Sequence, residues 1–425
     1  MLTYFLFPFY LIGGITVLHW AARRHGIPFT IYHTTAAVLF KVLMGILYGY
    51  IFFHYYGGDD TWEYFTKSKT ATDILLTHPG NFVKEMLPGF SLQATHSNGW
   101  SAILFYVHHF EFWFMVKFLA ILNLFSAKNY YIDLLLFDLL TISGLFLLFK
   151  MLINRFPAKT GMYYLLIFFI PSITFWCSGI RAEALILLFI GFAIYNGKAY
   201  AQRPNGKNAA GMGLALLGFV LFRIQYLIIF LPALIAFMLS VGKKQAGPVY
   251  FSRIYLAVLL IFFTTLFLPP AFQLSRPLIQ TQQNFFVLKG NTRYGLDSLR
   301  PGAVSFFRIL PQAAANSIFR PYPWEGKGLL QSLSSIESIF LIAGFLFFVL
   351  SDPLKNKVRS PILWLFLFYA VPLLIAVGFT VPFPGAIVRY RSIPFLFMFL
   401  FLFSANNILH LKLTKILFPK TLNKF

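Results

Sequence analysis

The sequence predicts an all-α polytopic membrane protein, and three observations carry that expectation. Hydrophobic residues make up 58% of the 425 residues, charged residues only 11%, and the mean hydropathy is +0.72. A soluble domain carries roughly 25% charged residues. Apolar runs long enough to cross a bilayer recur along the whole chain, where about 20 residues suffice for one helix. The single cysteine, Cys177, excludes an intramolecular disulfide and any cysteine-based metal cluster.

Taken in order, the predicted spans are 2–19, 34–54, 130–149, 161–178, 183–198, 209–223, 225–241, 254–270, 334–350, 361–380 and 391–409. The first lacks a basic leader and is followed, after Arg23 and Arg24, by a second span, so it reads as a span and not as a cleaved signal. The stretch 101–126 is apolar but holds His108, His109, Glu111, Lys117 and Asn123, which are expensive at a bilayer centre. It is read as a re-entrant or interfacial segment.

The net charge of +22 is an orientation signal. Arg23 and Arg24, then Lys150, Arg155 and Lys159, then Lys198, Arg203 and Lys207, then Lys243, Lys244 and Arg253, then Lys355, Lys357 and Arg359, lie in short loops between spans. The positive-inside rule places all of these, with the lysine-bearing tail, in the cytoplasm. They alternate correctly only if 101–126 does not cross once, giving about eleven spans (11–13), the N-terminus outside and the C-terminus inside. Eleven acids, among them Asp59, Asp60, Glu63, Glu111 and Glu183, then fall on the outer side, against the single inner acid Asp352. With the charge so sorted, no nucleic-acid partner is expected. The chain reads as one membrane domain, 1–425. Its two long outer loops, 55–129 and 271–333, are long enough to be functional.

Five outer features carry candidate chemistry. Gly57-Gly58-Asp59-Asp60 leaves the second span, with glycines for a sharp turn and two carboxylates at the membrane boundary. One of them can face a cavity; a solvated acidic turn is the plainer alternative. Glu63 follows on the same segment. Trp176-Cys177-Ser178-Gly179-Ile180-Arg181-Ala182-Glu183 lies between two spans, where Arg181 could hold a phosphate and Glu183 orient it, or the two could form an ordinary stabilising pair. Arg223 lies at another outer turn and either binds an anion or snorkels to the interface. Arg320-Pro321-Tyr322-Pro323-Trp324-Glu325 offers aromatic faces and charges suited to a sugar ring or headgroup, or else an aromatic belt anchor. Arg389 and Arg391 flank Tyr390 before the last span, where anion binding competes with interface anchoring. Jointly, Arg181, Arg223, Arg320, Arg389 and Arg391 sit where positive charge is disfavoured, on the same side as Asp59 and Asp60. His96, His108 and His109 are read as polar packing, since adjacent histidines do not share a helix face. Asp138, inside a span, argues weakly for proton coupling, and Lys41 lies near the inner end of another span.

In order and sidedness these motifs resemble the GT-C fold glycosyltransferases, of the bacterial kind related to dolichyl-phosphate-mannose and undecaprenyl-phosphate-sugar enzymes. The resemblance rests on Gly57-Gly58-Asp59-Asp60, Phe175-Trp176-Cys177-Ser178-Gly179-Ile180, Arg320-Pro321-Tyr322-Pro323-Trp324-Glu325 and Arg389-Tyr390-Arg391. It implies a GT-C-like helical bundle with interfacial helices in the first outer loop, and a site on the extracytoplasmic face of a bacterial inner (plasma) membrane. It also implies a polyprenyl-phosphate sugar donor and a glycan or lipid acceptor. Asp59, with Asp60 as alternate, would be the general base. Arg181, Arg223, Arg320, Arg389 and Arg391 would hold the lipid phosphate, and Glu63, Glu183, Tyr322, Trp324 and Glu325 would contact substrate. No cofactor is assigned, and a divalent metal is left open. The acidic motif is Asp-Asp where the family more often has Asp-Glu or Asp-x-Asp, and Ala182 stands where a lysine is expected. A polysaccharide polymerase or ligase, or a flippase for lipid-linked glycans, would use similar outer arginines.

Overall fold

A computed structural model of the chain describes residues 2–84, 99–243, 247–289, 292–325, 329–350, 360–404 and 410–419. The described residues form helices and turns and no β-strand. In chain order the helices are α1 (Leu2–Arg24), α2 (Ile31–His54), α3 (Asp60–Thr77), α4 (Pro79–Lys84), α5 (Gly99–Ser126), α6 (Tyr130–Arg155), α7 (Thr160–Phe168), α8 (Pro171–Trp176) and α9 (Ala182–Gln202). They continue with α10 (Gly206–Phe222), α11 (Ile224–Ser240), α12 (Gly247–Thr265), α13 (Arg276–Val287), α14 (Ala303–Ala314), α15 (Leu329–Leu350), α16 (Pro361–Thr380), α17 (Pro384–Ser404) and α18 (His410–Leu417). Among the described residues, eight helices are long and apolar enough to cross a membrane: α1, α2, the 107–126 part of α5, α6, α9, α12, α16 and α17. Shorter apolar helices cover Gly206–Phe222, Ile224–Ser240 and Ser334–Leu346.

Two sequence expectations take a different form. The span expected at 161–178 is broken into α7 and α8, because Pro171 pushes Ile170 out of the helical region, to φ −74° and ψ 111°. The 101–126 stretch lies within one uninterrupted helix, so it makes no re-entrant hairpin. Phe114 and Phe118 of α5 meet Phe222 at the end of α10, and Phe118 also meets Phe137, within the first third of α6. The 107–126 part of this helix is itself long and apolar enough to cross a membrane, which the interfacial expectation did not foresee. His96 lies outside the described residues.

The chain divides into two compact units. The first comprises 1–93, 106–227 and 408–425, and the second 94–105 and 228–407.

In the first unit α6 packs against α1, α2, α7 and α9. Lipid supplies no hydrophobic drive between membrane helices, so close approach through small residues does that work. A Cβ added to Gly191 of α9 would lie 2.2 Å from the Gly144 carbonyl oxygen of α6, and one added to Gly144 would lie 2.4 Å from the Leu188 Cα. The two backbones therefore touch, with no flexible side chain between them to give way. Gly191→Leu is expected to destabilise the protein by about 1–3 kcal/mol or more. Thermal unfolding in detergent checks it, and an unchanged midpoint would refute the α6–α9 packing. α18 closes one end of this unit. Thr414 donates to the Ala158 carbonyl at 2.8 Å, Phe418 stacks on His33 at 4.3 Å, and the Leu413 backbone lies so close to Gly161 that a Cβ there would fall 2.7 Å from its carbonyl oxygen.

In the second unit α16 pairs with α17, α14 lies against α16, and α15 lies against α17. Ile279, Leu299, Phe306, Ile309, Ala313 and Phe379 form a core between α13, α14 and α16. The buried Gln282 amide locks that core. It donates to the Asp297 and Phe379 carbonyls at 3.0 and 2.7 Å and accepts from the Leu299 amide at 2.7 Å.

Candidate functional site

The first cluster is built on one face of α2, where Lys41, Gly45, Tyr48 and Gly49 recur at helical spacing. After α2 the chain reverses through Gly57 and Gly58, with φ of +73° and +112°, a region open to glycine. Asp59 then caps α3, its carboxylate accepting the Thr61 amide at 3.2 Å. The same carboxylate accepts the Tyr48 hydroxyl and the Arg181 Nη1 donor, the latter at 3.3 Å. Arg181 turns its Nε to Glu183 at 3.3 Å and lies over the rings of Tyr48 and Trp176, at 4.6 and 5.7 Å.

The Arg181 loop is held by a buried pair. Lys41 Nζ lies 3.1 Å from Asp138 and donates to the Cys177 carbonyl at 2.6 Å, while Asp138 accepts the Gly179 amide at 3.0 Å. Gly179 has φ +72°, and a Cβ on Gly45 would meet its amide nitrogen at 2.9 Å, so both positions require glycine. Thr61 donates to the Ile180 carbonyl at 3.2 Å, which ties the start of α3 to the same loop. Asp138 is thus no isolated intramembrane acid: it neutralises Lys41 and positions the loop that carries Arg181.

Electrostatically the cluster sets one guanidinium against two carboxylates. Arg181 and Glu183 side chains are each 1% exposed, and Asp59 is 14% exposed. Arg181 therefore brings no surplus positive charge for a phosphate; it holds Asp59 and Glu183 in place. Tyr130 adds a hydroxyl that packs so close to Gly49 that a Cβ there would sit 2.8 Å from it, and its ring stacks on Trp62 at 3.8 Å.

Two neighbouring features have other roles. Asp60 is exposed in the first turn of α3. Glu63 forms an exposed i,i+4 pair with Lys67 at 2.9 Å, a solvated pair outside the cluster. Arg223, at the break between α10 and α11, pairs with Glu111 at 3.0 Å, and the other Glu111 oxygen accepts the Ile224 amide at 3.1 Å. Glu111 is a residue that sequence reasoning placed only on an interfacial helix. Its signal was an acid inside an apolar stretch.

The second cluster belongs to the second unit. A π-helical turn, Ala315–Phe319, leads into Arg320 and a cis Arg320–Pro321 bond. Arg320 pairs with Glu325 at 2.9 Å, donates to Asn316 Oδ1 at 3.2 Å, and lies over Tyr294 and Tyr322 at 4.5 and 5.7 Å. Tyr322 stacks on the exposed Trp324 at 5.0 Å. The Arg320 side chain stays 28% exposed, so it can meet a ligand. Burial, and next the Glu325 charge, push the Tyr294 hydroxyl up to about 12, which keeps it a neutral donor at neutral pH. Tyr294 was missed in the sequence, where tyrosine is too common to signal.

Arg391 departs from the anion-binding expectation. It is fully buried, donates to the Arg320 carbonyl, and gives Nη2 to the Ser334 carbonyl and hydroxyl at 3.0 and 2.7 Å. It holds the Arg320 backbone. Arg389 is partly exposed and its guanidinium lies over the Tyr390 ring at 5.4 Å. Among the described residues, no three His, Cys, Asp or Glu side chains converge to hold a metal ion.

No protein-family model, no curated protein and no solved structure matches this chain.

Proposed function

We propose that the protein is an integral-membrane glycosyltransferase that moves a sugar from a polyprenyl-phosphate donor to a glycan or lipid acceptor, on the outer face of a bacterial plasma membrane. The observation that carries this reading is the state of Asp59: a carboxylate at a helix end, bonded by Tyr48 and Arg181 and still 14% exposed. A carboxylate so placed can take a proton from an acceptor hydroxyl. The acceptor oxygen then attacks the anomeric carbon, the bond from that carbon to the phosphate oxygen breaks, and the polyprenyl phosphate leaves with the electron pair. Asp60, exposed beside it, is the alternate base. Where 101–126 does not cross, the positive-inside rule puts the C-terminus inside and both acids outside.

The leaving phosphate needs cations in a site shielded from water. Arg223 suits that role, being 15% exposed beside Glu111 and in the same unit as Asp59.

The test is transfer of labelled sugar by the purified chain in lipid, from a panel of polyprenyl-phosphate sugars, with and without a chelator of divalent metals. Arg223→Ala should weaken donor use about tenfold or more, as loss of a hydrogen-bonded charge pair implies. No transfer from any donor, with donor lipid crossing the bilayer instead, would replace this reading with a transporter.

A further inference from the structure

We propose that residues 266–289 and 292–308 of the second unit form a docking surface for anionic phospholipid headgroups. The inference does not depend on the enzymatic reading. The inner side of this segment is committed to the Ile279–Phe379 core and the Gln282 lock. Its outer side mixes two kinds of exposed side chain. Phe267, Val287, Val304 and Phe307 are 90, 82, 81 and 61% exposed. Lys289, Arg293, Arg300 and Arg308 are exposed too, and none of the four pairs with a carboxylate among the described residues. The segment carries Asp297 as its one acid.

Neither water nor hydrocarbon suits that mixture alone. Four cations without a carboxylate partner, Arg293 meeting only the Phe286 ring at 4.4 Å, are unfavourable against lipid tails, and four large exposed apolar groups are unfavourable in water. The headgroup boundary accommodates both, with apolar side chains below and basic groups at the phosphates. Position agrees with composition. Phe307 stacks at 5.3 Å and 8° on Phe263, in the last turn of α12, a helix long and apolar enough to span. Phe307 and the adjoining Arg308 therefore lie level with the end of a span. In the same way Lys289 directly follows the exposed Val287 and Leu288. Zwitterionic lipid would satisfy the apolar groups, but only anionic lipid answers the four basic charges.

The test uses the full chain in neutral detergent, equilibrated with equal phosphatidylglycerol and phosphatidylcholine, and counts bound lipid by mass spectrometry. Wild type should retain phosphatidylglycerol preferentially. The variant Lys289→Gln/Arg293→Gln/Arg300→Gln/Arg308→Gln should lower that preference about fivefold or more, since one basic group near an anionic surface is worth roughly that factor. Its unfolding midpoint should not move, because all four side chains are exposed. Arg293→Lys/Arg300→Lys/Arg308→Lys should keep the preference. An unchanged lipid ratio in the glutamine variant overturns the proposal. So does displacement of the lipid by soluble inorganic polyphosphate through the same four residues, which would reassign the surface to a soluble polyanion.

Discussion

Asp59→Asn is expected to lower sugar transfer by about 10²–10⁴-fold, the range over which a positioned general base contributes. The substitution is isosteric. Its amide oxygen can still accept from Thr61, so the N-cap of α3 persists, but its NH2 then faces the Tyr48 and Arg181 donors and cannot take a proton. It also removes the charge that faces Arg181 at 3.3 Å, so unfolding in detergent must be measured beside turnover. Asp60→Asn should lower transfer less than tenfold, since Asp60 is exposed and lies outside the Tyr48–Arg181 bonds. Wild-type turnover in Asp59→Asn, with donor bound normally, would remove Asp59 from the chemistry. A large loss in Asp60→Asn alone would transfer the role to its neighbour.

Lys41→Met is expected to destabilise the protein by about 3–5 kcal/mol, because it strands the Asp138 carboxylate in a buried site. Asp138→Leu should have a similar effect in the opposite sense, leaving Lys41 charged. The double variant should lose markedly less than the two single losses combined, since it removes both charges together. It still releases the bonds to Cys177 and Gly179, so some loss remains. Denaturation midpoints of the four proteins in one detergent close the cycle. Additive losses, or single losses below about 1 kcal/mol, would mean that the pair does not hold the loop. If it does, Asp138→Leu should also impair transfer, because the Arg181 loop that steadies Asp59 is anchored through Gly179.

How much of this was legible in the sequence depends on whether a feature is local. The Gly57-Gly58 reversal before Asp59 was legible, because positive φ is a property of those residues themselves. So was the Arg181–Glu183 pair, two positions apart. The bond between Asp59 and Arg181 joins distant parts of the chain, and so do Lys41–Asp138 and Glu111–Arg223. Nothing local announces such partners, and each arginine was therefore read as available for an anion. Arg391 is the clearest instance. Its position before an apolar run suggested phosphate, whereas burial gave its donors to the Arg320 and Ser334 carbonyls. Apolar periodicity located most of the helices but could not distinguish a continuous helix from a broken one. Pro171 was the available sign of the break after α7. Tyr48, Tyr130 and Tyr294 went unremarked, because aromatic residues are 20% of the chain and a tyrosine beside a site looks like any other.

α18 bears on how the protein is made. It follows α17 of the second unit, yet its partners, Ala158, Gly161, His33 and Phe149, all belong to the first. A ribosome delivers α1–α10 long before α18. Throughout that interval the aromatic nest around Phe29 and Tyr164 lacks its last member, Phe418. The early unit is therefore completed by a helix made after the second unit, and the order of synthesis is not the order of completion. A bulky fusion placed directly after α18 would then be felt first in the unit that emerged first.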